Sequence, residues 1–353
     1  MQSAFTRKFD AIAAFSFITV IIIVFTTSCK KKKIPPNNPG NTIPALYVAG
    51  QELGSSSKYH ARLWKNGTAT TVSNTTLNAG ALCLFVSGQD IYLAGYEINN
   101  SGKAIAKYWK NGTGTNFSDG TSDEVVNSIF VSAQDVYATG NLVTGTVIGE
   151  QAKYWKNAIS SILSNNGSDA NSIYVAGSDV YIAGSESPTI GAERNPVYWK
   201  NGTLNRLTNN RGYAYSIFMN GTDVYVAGFE EMNGKNVARY WKNGVGVSLS
   251  DGTKDEIATL ILVKNGDIYV AGIEEVPDHN IAKYWKNGTA TKLSNGLLNA
   301  YAGGIAVSGN DVYVSGFDNG TSSTSTAVYW KNGTLVKLTD GSKEAFASAI
   351  VFQ

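Results

Sequence analysis

Six acidic residues recur at one position of a repeated sequence, and this pattern indicates a ring of carboxylates. Each stands two residues after a glycine that ends an apolar, strand-like run. The six are Glu52, Glu97, Glu186, Glu230, Glu274 and Asp318. Such a ring can bind a cation, an amine-bearing ligand or the hydroxyl groups of a sugar. Two carboxylates at a suitable separation are also the chemistry of glycoside hydrolysis.

Basic residues at a second repeated position offer a structural explanation for the same acids. They stand two residues before a tryptophan and are Arg62, Lys107, Lys153, Arg239 and Lys283. Acid and base occur together in four repeats, where cross-strand ion pairs would account for both. Glu186 and Asp318 are exceptions, because Val197 and Val328 stand at the basic position. These two acids are therefore the first candidates for ligand binding.

Aromatic residues that depart from the repeat are further candidates. They are Tyr96, Tyr213, Tyr215, Phe229, Tyr301 and Phe317. Of these, Tyr215 and Tyr301 are predicted ligand contacts, because aromatic rings stack on sugars and on protein partners. Burial in a core is the alternative for the whole set. His60 and His279 have no repeated partner, and we predict neither a metal nor a cofactor.

A repeat of about 44 residues must position these side chains. All seven tryptophans are followed by Lys-Asn, at intervals of 45, 46, 44, 42, 44 and 45 residues. Each repeat contains four strand-like segments, here named A to D, and six of the seven carry Asn-Gly between C and D. Asn-Gly favours a two-residue hairpin turn, and a period near 44 is typical of propeller blades.

The ends of the repeat array predict a closed ring. The first repeat begins at strand B, at Leu46, whereas the last residues, 347–353, form an additional strand A. The count balances only if the C-terminal strand completes the first blade. We therefore predict an all-β fold, a seven-bladed β-propeller over residues 45–353. The B–C and D–A connections, which vary most, emerge together and form the better candidate ligand face.

The N-terminal residues predict export from the cytoplasm. Arg7 and Lys8 precede an apolar run over 11–25, which is the layout of a secretory signal. An uncleaved N-terminal anchor is the alternative. The first 33 residues carry six basic residues and one acidic residue, so the remaining 320 have a net charge of −3 out of the overall +2. This acidic body argues against nucleic-acid binding.

Two features of the sequence resemble known families. Thr26-Thr27-Ser28-Cys29 resembles the lipobox of bacterial lipoproteins, which implies a signal peptide over 1–28 and a lipidated Cys29. Residues 29–44, with four lysines after the cysteine, would then be a flexible tether. The Tyr-Trp-Lys-Asn-Gly repeat resembles propeller lipoproteins of the Bacteroidota. That resemblance implies the outer membrane, on its periplasmic side or at the cell surface, and carries no activity.

Two functions remain open from the sequence. The first is a lipid-anchored binding or scaffold propeller that presents one face to a glycan or a protein, which we expect to be monomeric. The second is an extracytoplasmic carbohydrate-active enzyme that uses acids of the ring. Cys83 falls in a column of small residues across the repeats and is predicted to be a packing residue.

Overall fold

The computed structural model describes residues 44–146, 149–320 and 324–353, which form 28 β-strands. The predicted signal peptide, Cys29 and the predicted tether as far as residue 43 lie outside the described residues. Within the described ranges, no helix is long and apolar enough to cross a membrane.

The strands form seven four-stranded antiparallel sheets. Blade 1 consists of β28 (Ala345–Phe352), β1 (Leu46–Leu53), β2 (Tyr59–Lys65) and β3 (Thr68–Thr71). Blade 2 consists of β4 (Ala79–Ser87), β5 (Asp90–Ile98), β6 (Ala104–Lys110) and β7 (Thr113–Asn116). Blade 3 consists of β8 (Asp123–Ser132), β9 (Asp135–Val143), β10 (Glu150–Lys156) and β11 (Ile159–Ile162). Blade 4 consists of β12 (Ser168–Ala176), β13 (Asp179–Glu186), β14 (Asn195–Lys200) and β15 (Thr203–Arg206).

The remaining three blades follow the same order. Blade 5 consists of β16 (Gly212–Asn220), β17 (Asp223–Met232), β18 (Lys235–Lys242) and β19 (Val245–Ser248). Blade 6 consists of β20 (Asp255–Lys264), β21 (Asp267–Val276), β22 (His279–Lys286) and β23 (Thr289–Lys292). Blade 7 consists of β24 (Ala300–Ser308), β25 (Asp311–Asp318), β26 (Thr326–Lys331) and β27 (Thr334–Lys337).

The A strands close into a ring, which confirms the predicted propeller. Each contacts the A strand of the next blade, in the order β28, β4, β8, β12, β16, β20, β24 and back to β28. The C-terminal strand β28 pairs with β1, as predicted for the first blade. The junction is extended by hydrogen bonds from Ala45 N to Gln353 O (2.7 Å) and from Gln353 N to Ala45 O (3.0 Å). The hydroxyl of Tyr59 also donates to the carboxylate of Glu344.

A glycine near the end of each B strand allows the A strand and the tryptophan of its blade to approach closely. A Cβ on Gly184 would lie 1.9 Å from the Asp169 carbonyl oxygen and 2.9 Å from the Trp199 ring. The seven tryptophans are at most 2% exposed, so they form the shared core of the blades. Every A strand also carries a bulge opposite this region, such as that between Ala170 and Ser172.

Small residues after the bulge join neighbouring blades. The Ser172 hydroxyl accepts the N–H of Ile217 in the next blade at 3.2 Å, and Ser128 and Ser216 accept equivalent bonds. Cys83 occupies the same position in blade 2, where it is fully buried, and burial raises the pKa of its thiol. Its surroundings are those of the predicted packing residue.

The face that carries the A–B and C–D turns, here called the lower face, is nearly identical in blades 2 to 7. In blade 2 the Asn111 side chain accepts the Ile91 N–H at 2.9 Å and donates to Asp90 at 2.8 Å. Lys110 forms an ion pair with Asp90 at 2.7 Å and lies 5.3 Å from the Tyr92 ring centroid. These contacts explain why the Asp and Tyr at the start of strand B recur together with the Lys-Asn that ends strand C.

Candidate functional site

The opposite face, here called the upper face, carries the B–C and D–A connections and the acidic ring. Four ring acids form the ion pairs that the sequence offered as the structural explanation. These pairs are Glu52–Arg62 (2.7 Å), Glu97–Lys107 (2.5 Å), Glu230–Arg239 (2.5 Å) and Glu274–Lys283 (3.1 Å). In these blades the carboxylate pairs with a basic side chain of the same sheet, so a ligand would have to displace that side chain.

Glu274 is the most strongly compensated of these acids. Besides Lys283, it contacts Lys254 at 2.6 Å and Lys292 at 3.6 Å, and the residue is only 3% exposed. Burial alone would raise the pKa of Glu274, but the hydrogen bonds from Lys254 and Lys283 outweigh it and lower the pKa to about 2. Glu274 is therefore ionised at any physiological pH.

Glu186 also has a basic partner, although the C strand of its blade supplies none. Arg206 on the D strand reaches Glu186 at 2.8 Å, and the hydroxyl of Ser164 donates to the same carboxylate at 2.7 Å. Arg206 lies directly across from Val197 in the sheet. The C-strand position alone does not reveal this pair; the cross-strand register, which places the D-strand Arg206 beside Val197, is the signal that could have done so.

Blade 3 has Leu142 at the ring position, and the acid that pairs with its base lies on a different strand. Lys153 forms an ion pair with Glu124 on the A strand at 2.8 Å. Leu142 lies opposite Glu124 in the sheet, so the carboxylate has moved from the B strand to its neighbour. The acid–base pair is thus retained in blade 3 with the acid on another strand.

Asp318 in blade 7 has no such partner. The residue is only 9% exposed, and no described Lys or Arg forms an ion pair with it. Its Oδ1 accepts the N–H of Gly320 at 2.6 Å.

Asp318 lines a cavity of about 490 Å³ between blades 6 and 7, together with Thr326, Val328, Leu335 and Lys337. Leu293, Ser294 and Asn295 of blade 6 form the other side.

The aromatic candidates gather at the upper end of the inner strands of blades 5, 6, 7 and 1. Tyr213 and Tyr215 stack at 5.9 Å, Tyr301 and Phe317 at 6.1 Å, and Phe346 packs edge-on against Phe317 at 5.1 Å. Ile257, Ile273 and Phe229 complete this cluster.

Tyr215 and Tyr301 are each only 8% exposed, and burial raises the pKa of both. The cluster therefore packs mainly against itself. Tyr96, on β5 of blade 2, lies outside it.

A buried polar network lies beside this cluster in blade 4. The Asp169 carboxylate accepts bonds from the Ser185 N–H (2.9 Å), the Asn171 amide (2.8 Å) and Arg194 (2.7 Å). Glu150 of blade 3 lies 3.6 Å from the same guanidinium. Because each member has a partner, this network holds two blades together.

The remaining polar candidates are used within the fold. His60 and His279 bond the carbonyl oxygens of Thr75 (3.1 Å) and Gly296 (2.8 Å). Among the described residues, no group of three or more His, Cys, Asp or Glu side chains could hold a metal ion.

Comparisons with known proteins support the fold alone. No protein-family model and no curated protein match the chain. An acylaminoacyl peptidase from Pyrococcus horikoshii is similar over 85% of this chain, with 13% identity and a TM-score of 0.52. The β-propeller domain of the trilobed protease from Pyrococcus furiosus, described as having an open velcro topology, is similar over 84%, with 13% identity and a TM-score of 0.51. This chain covers 52% of the first protein and 95% of the second.

Proposed function

We propose that this protein is a lipid-anchored binding propeller of the bacterial envelope, which presents its upper face to a glycan or protein ligand. The observation that carries the proposal is the contrast between the two faces. The lower face repeats one arrangement in blades 2 to 7. The upper face breaks its acid–base repeat only in blade 7, among the described residues, and there a cavity opens beside Asp318. A binding site is expected where a repeat departs from itself on its variable face.

The anchor in this proposal rests on the sequence around Cys29 and on the apolar run that precedes it. Cells supplied with a lipid precursor should label the wild-type chain, and Cys29→Ala should abolish the label. A labelled Cys29→Ala chain would refute anchoring through this residue without affecting the proposal for the upper face.

Ligand binding by the upper face can be tested by comparing a variant on that face with a variant on the lower face. We expect the full chain, purified in detergent, to retain a glycan or an envelope protein. Asp318→Asn should weaken that retention, whereas Asp179→Asn on the lower face should not. Asp179 controls for the loss of an aspartate charge elsewhere on the molecule, where it forms an ion pair with Lys200 at 2.9 Å. Equal losses in both variants, or in neither, would contradict a binding role for the upper face.

No described carboxylate pair favours the carbohydrate-active enzyme. A glycosidase acid must keep its proton near neutral pH, which requires a raised pKa. Asp340, the other acid that lines the blade 7 cavity, has its pKa lowered by hydrogen bonds from the hydroxyl and N–H of Ser342. Hydrogen bonds from Asn201 and Lys200 likewise lower the pKa of Asp179. The binding role is therefore the better supported of the two.

A further inference from the structure

We propose that the blade 7 cavity binds the side chain of a lysine or arginine from a partner polypeptide. This inference deepens the proposed binding function, because it assigns a ligand chemistry to one place on the upper face. It rests on a comparison of blade 7 with blade 4, which has the same architecture and supplies its own cation.

Blades 4 and 7 share the C-strand valine and the D-strand leucine beside the ring acid, although Asn195, which accepts a hydrogen bond from Arg206 in blade 4, is replaced by Thr326 in blade 7. Val197 and Val328 take the place of the C-strand base, and Leu204 and Leu335 follow at the same D-strand position. Arg206 and Lys337 then lie directly across from the two valines. In blade 4 the guanidinium of Arg206 meets Glu186 at 2.8 Å, which closes the site.

Blade 7 cannot close the same site because both of its partners are shorter. Asp318 lacks one methylene relative to Glu186, and the lysine side chain is shorter than that of arginine. Blade 6 shows the limit, since Lys292 at this D-strand position comes only to 3.6 Å of the full-length Glu274. Lys337 instead remains exposed and forms no ion pair with a described residue. The carboxylate is therefore left facing the cavity.

The sibling blades also show which group fits the vacated space. At the equivalent place they hold an ammonium or guanidinium on an apolar stem, as Lys107, Arg206 and Arg239 do. In blade 7 the walls offer Leu293, Val328 and Leu335 for the stem and Asp318 for the charge. A buried carboxylate without a base favours a ligand that brings one.

An exposed apolar rim favours a polypeptide over a free amine. Asn295 lines the cavity, and the carbonyl oxygen of Asn299 accepts the N–H of Asn319, another lining residue. Between them, Leu297 is 68% and Leu298 38% exposed. The positions equivalent to Leu297 carry Thr76, Thr121, Thr253 and Ser342 in other blades. Side chains that flank the cation in a peptide would cover this rim.

The test is a titration of the full chain in detergent with three probes. Nα-acetyl-arginine methylamide and the lysine equivalent should bind at least roughly tenfold more tightly than the uncharged citrulline equivalent, as expected for one desolvated ion pair. Asp318→Asn should remove that preference. Citrulline binding as tight as arginine, or no saturable binding of any probe, would overturn the proposal.

Two double variants separate the cavity from general stability. Asp318→Glu with Lys337→Arg rebuilds the blade 4 arrangement, so it should abolish arginine binding while the melting temperature stays the same or rises. Glu186→Asp with Arg206→Lys makes the reverse change in blade 4, so it should lower the melting temperature and leave arginine binding by the blade 7 cavity intact. Arginine binding that survives the first pair would overturn the proposal.

A further comparison identifies the source of the cation and separates this inference from the proposed function. The tripeptide Leu-Arg-Leu, capped at both ends, should bind more tightly than spermidine, because only the peptide can cover Leu297 and Leu298. Tighter spermidine binding would overturn the polypeptide assignment. If a ligand of the whole upper face still binds the Asp318→Glu, Lys337→Arg variant, the proposed function stands and the cavity inference fails.

Discussion

At the scale of single residues, the repeat shows where the protein tolerates a departure from its own pattern. Blade 3 carries Asn157-Ala158 where six blades carry Asn-Gly. The structure keeps the turn, with φ of 49° at Asn157 and 69° at Ala158. An alanine in this region clashes with its own carbonyl group, so the turn is strained.

Ala158→Gly should therefore stabilise the fold by up to about 1 kcal/mol, because relief of the strain exceeds the entropy that glycine loses on folding. Urea unfolding measures the difference. Gly202→Ala makes the opposite change in blade 4, where the glycine has φ of 80°, and it should destabilise by a similar amount. If both variants shift stability in the same direction, the turn is not the cause.

The ionised carboxylate of Glu274 contributes to the stability of the fold. Glu274→Gln should lower the free energy of unfolding by about 2 kcal/mol near neutral pH, since it removes a buried carboxylate bonded to lysines. The folded pKa of about 2 lies below the usual 4.5. The contribution is therefore fully present above about pH 4.5 and is lost as the pH falls towards 2.

Unfolding curves at several pH values check this expectation, as the gap between wild type and Glu274→Gln should shrink on acidification. Glu52→Gln is the control. The side chains of Arg62 and Glu52 are 21% and 19% exposed in this ion pair. The loss in the free energy of unfolding should therefore stay below about 1 kcal/mol. A gap that is constant with pH would contradict the assignment.

At the scale of the strand, close packing explains the Val-Ala-Gly ending of strand B. The glycine lets the bulged A strand and the tryptophan approach the B strand. The bulge positions the small residues of the A strand, such as Ser172, whose hydroxyl groups accept hydrogen bonds from the next blade. The B strand is consequently buried on both faces, as its nearly continuous apolar sequence indicated. The D strands show the reverse, because β7, β11 and β19 are exposed throughout.

Gly184→Ala should destabilise the protein by about 3 kcal/mol or more, because the added Cβ meets backbone rather than a movable side chain. Gly114→Ala is the matched control, since Ala69 and Ala290 stand at its position in other blades and its Cβ would meet only side chains, the nearest at 3.2 Å. Thermal unfolding of the two variants compares them. Equal melting temperatures would refute the close-approach argument.

At the scale of the whole molecule, β28 joins the two ends of the ring. Deletion of residues 345–353 should remove the inner strand of blade 1 and expose Val48 and Trp64, with loss of cooperative unfolding and rapid proteolysis of blades 1 and 7. A synthetic peptide of these residues should restore protease resistance, whereas the peptide with Ile350→Asp should not. A truncated chain that unfolds like the full one would show that closure is dispensable.

The sequence predicted the fold more fully than the site, and the reason is physical. Seven tryptophans and the divided first blade determine the number of blades and the closure without reference to side-chain reach. Pairing of acids and bases depends on that reach. Arg206 was missed because it lies on another strand, and the open cavity at Asp318 depends on the shorter reach of Asp318 and Lys337 compared with Glu186 and Arg206. The sequence left the aromatic residues equally open between core and surface, because periodicity does not report exposure.

The hydrogen bonds between Ala45 and Gln353 also fix the face of the ring at which β1 begins. They lie where β1 begins and β28 ends, on the side of the A–B and C–D turns. A chain held through Cys29 would be pulled by its lower face, so the cavity of blade 7 would point away from the lipid. The charged lower face would then lie nearest the membrane, and incoming partners would meet the upper face first.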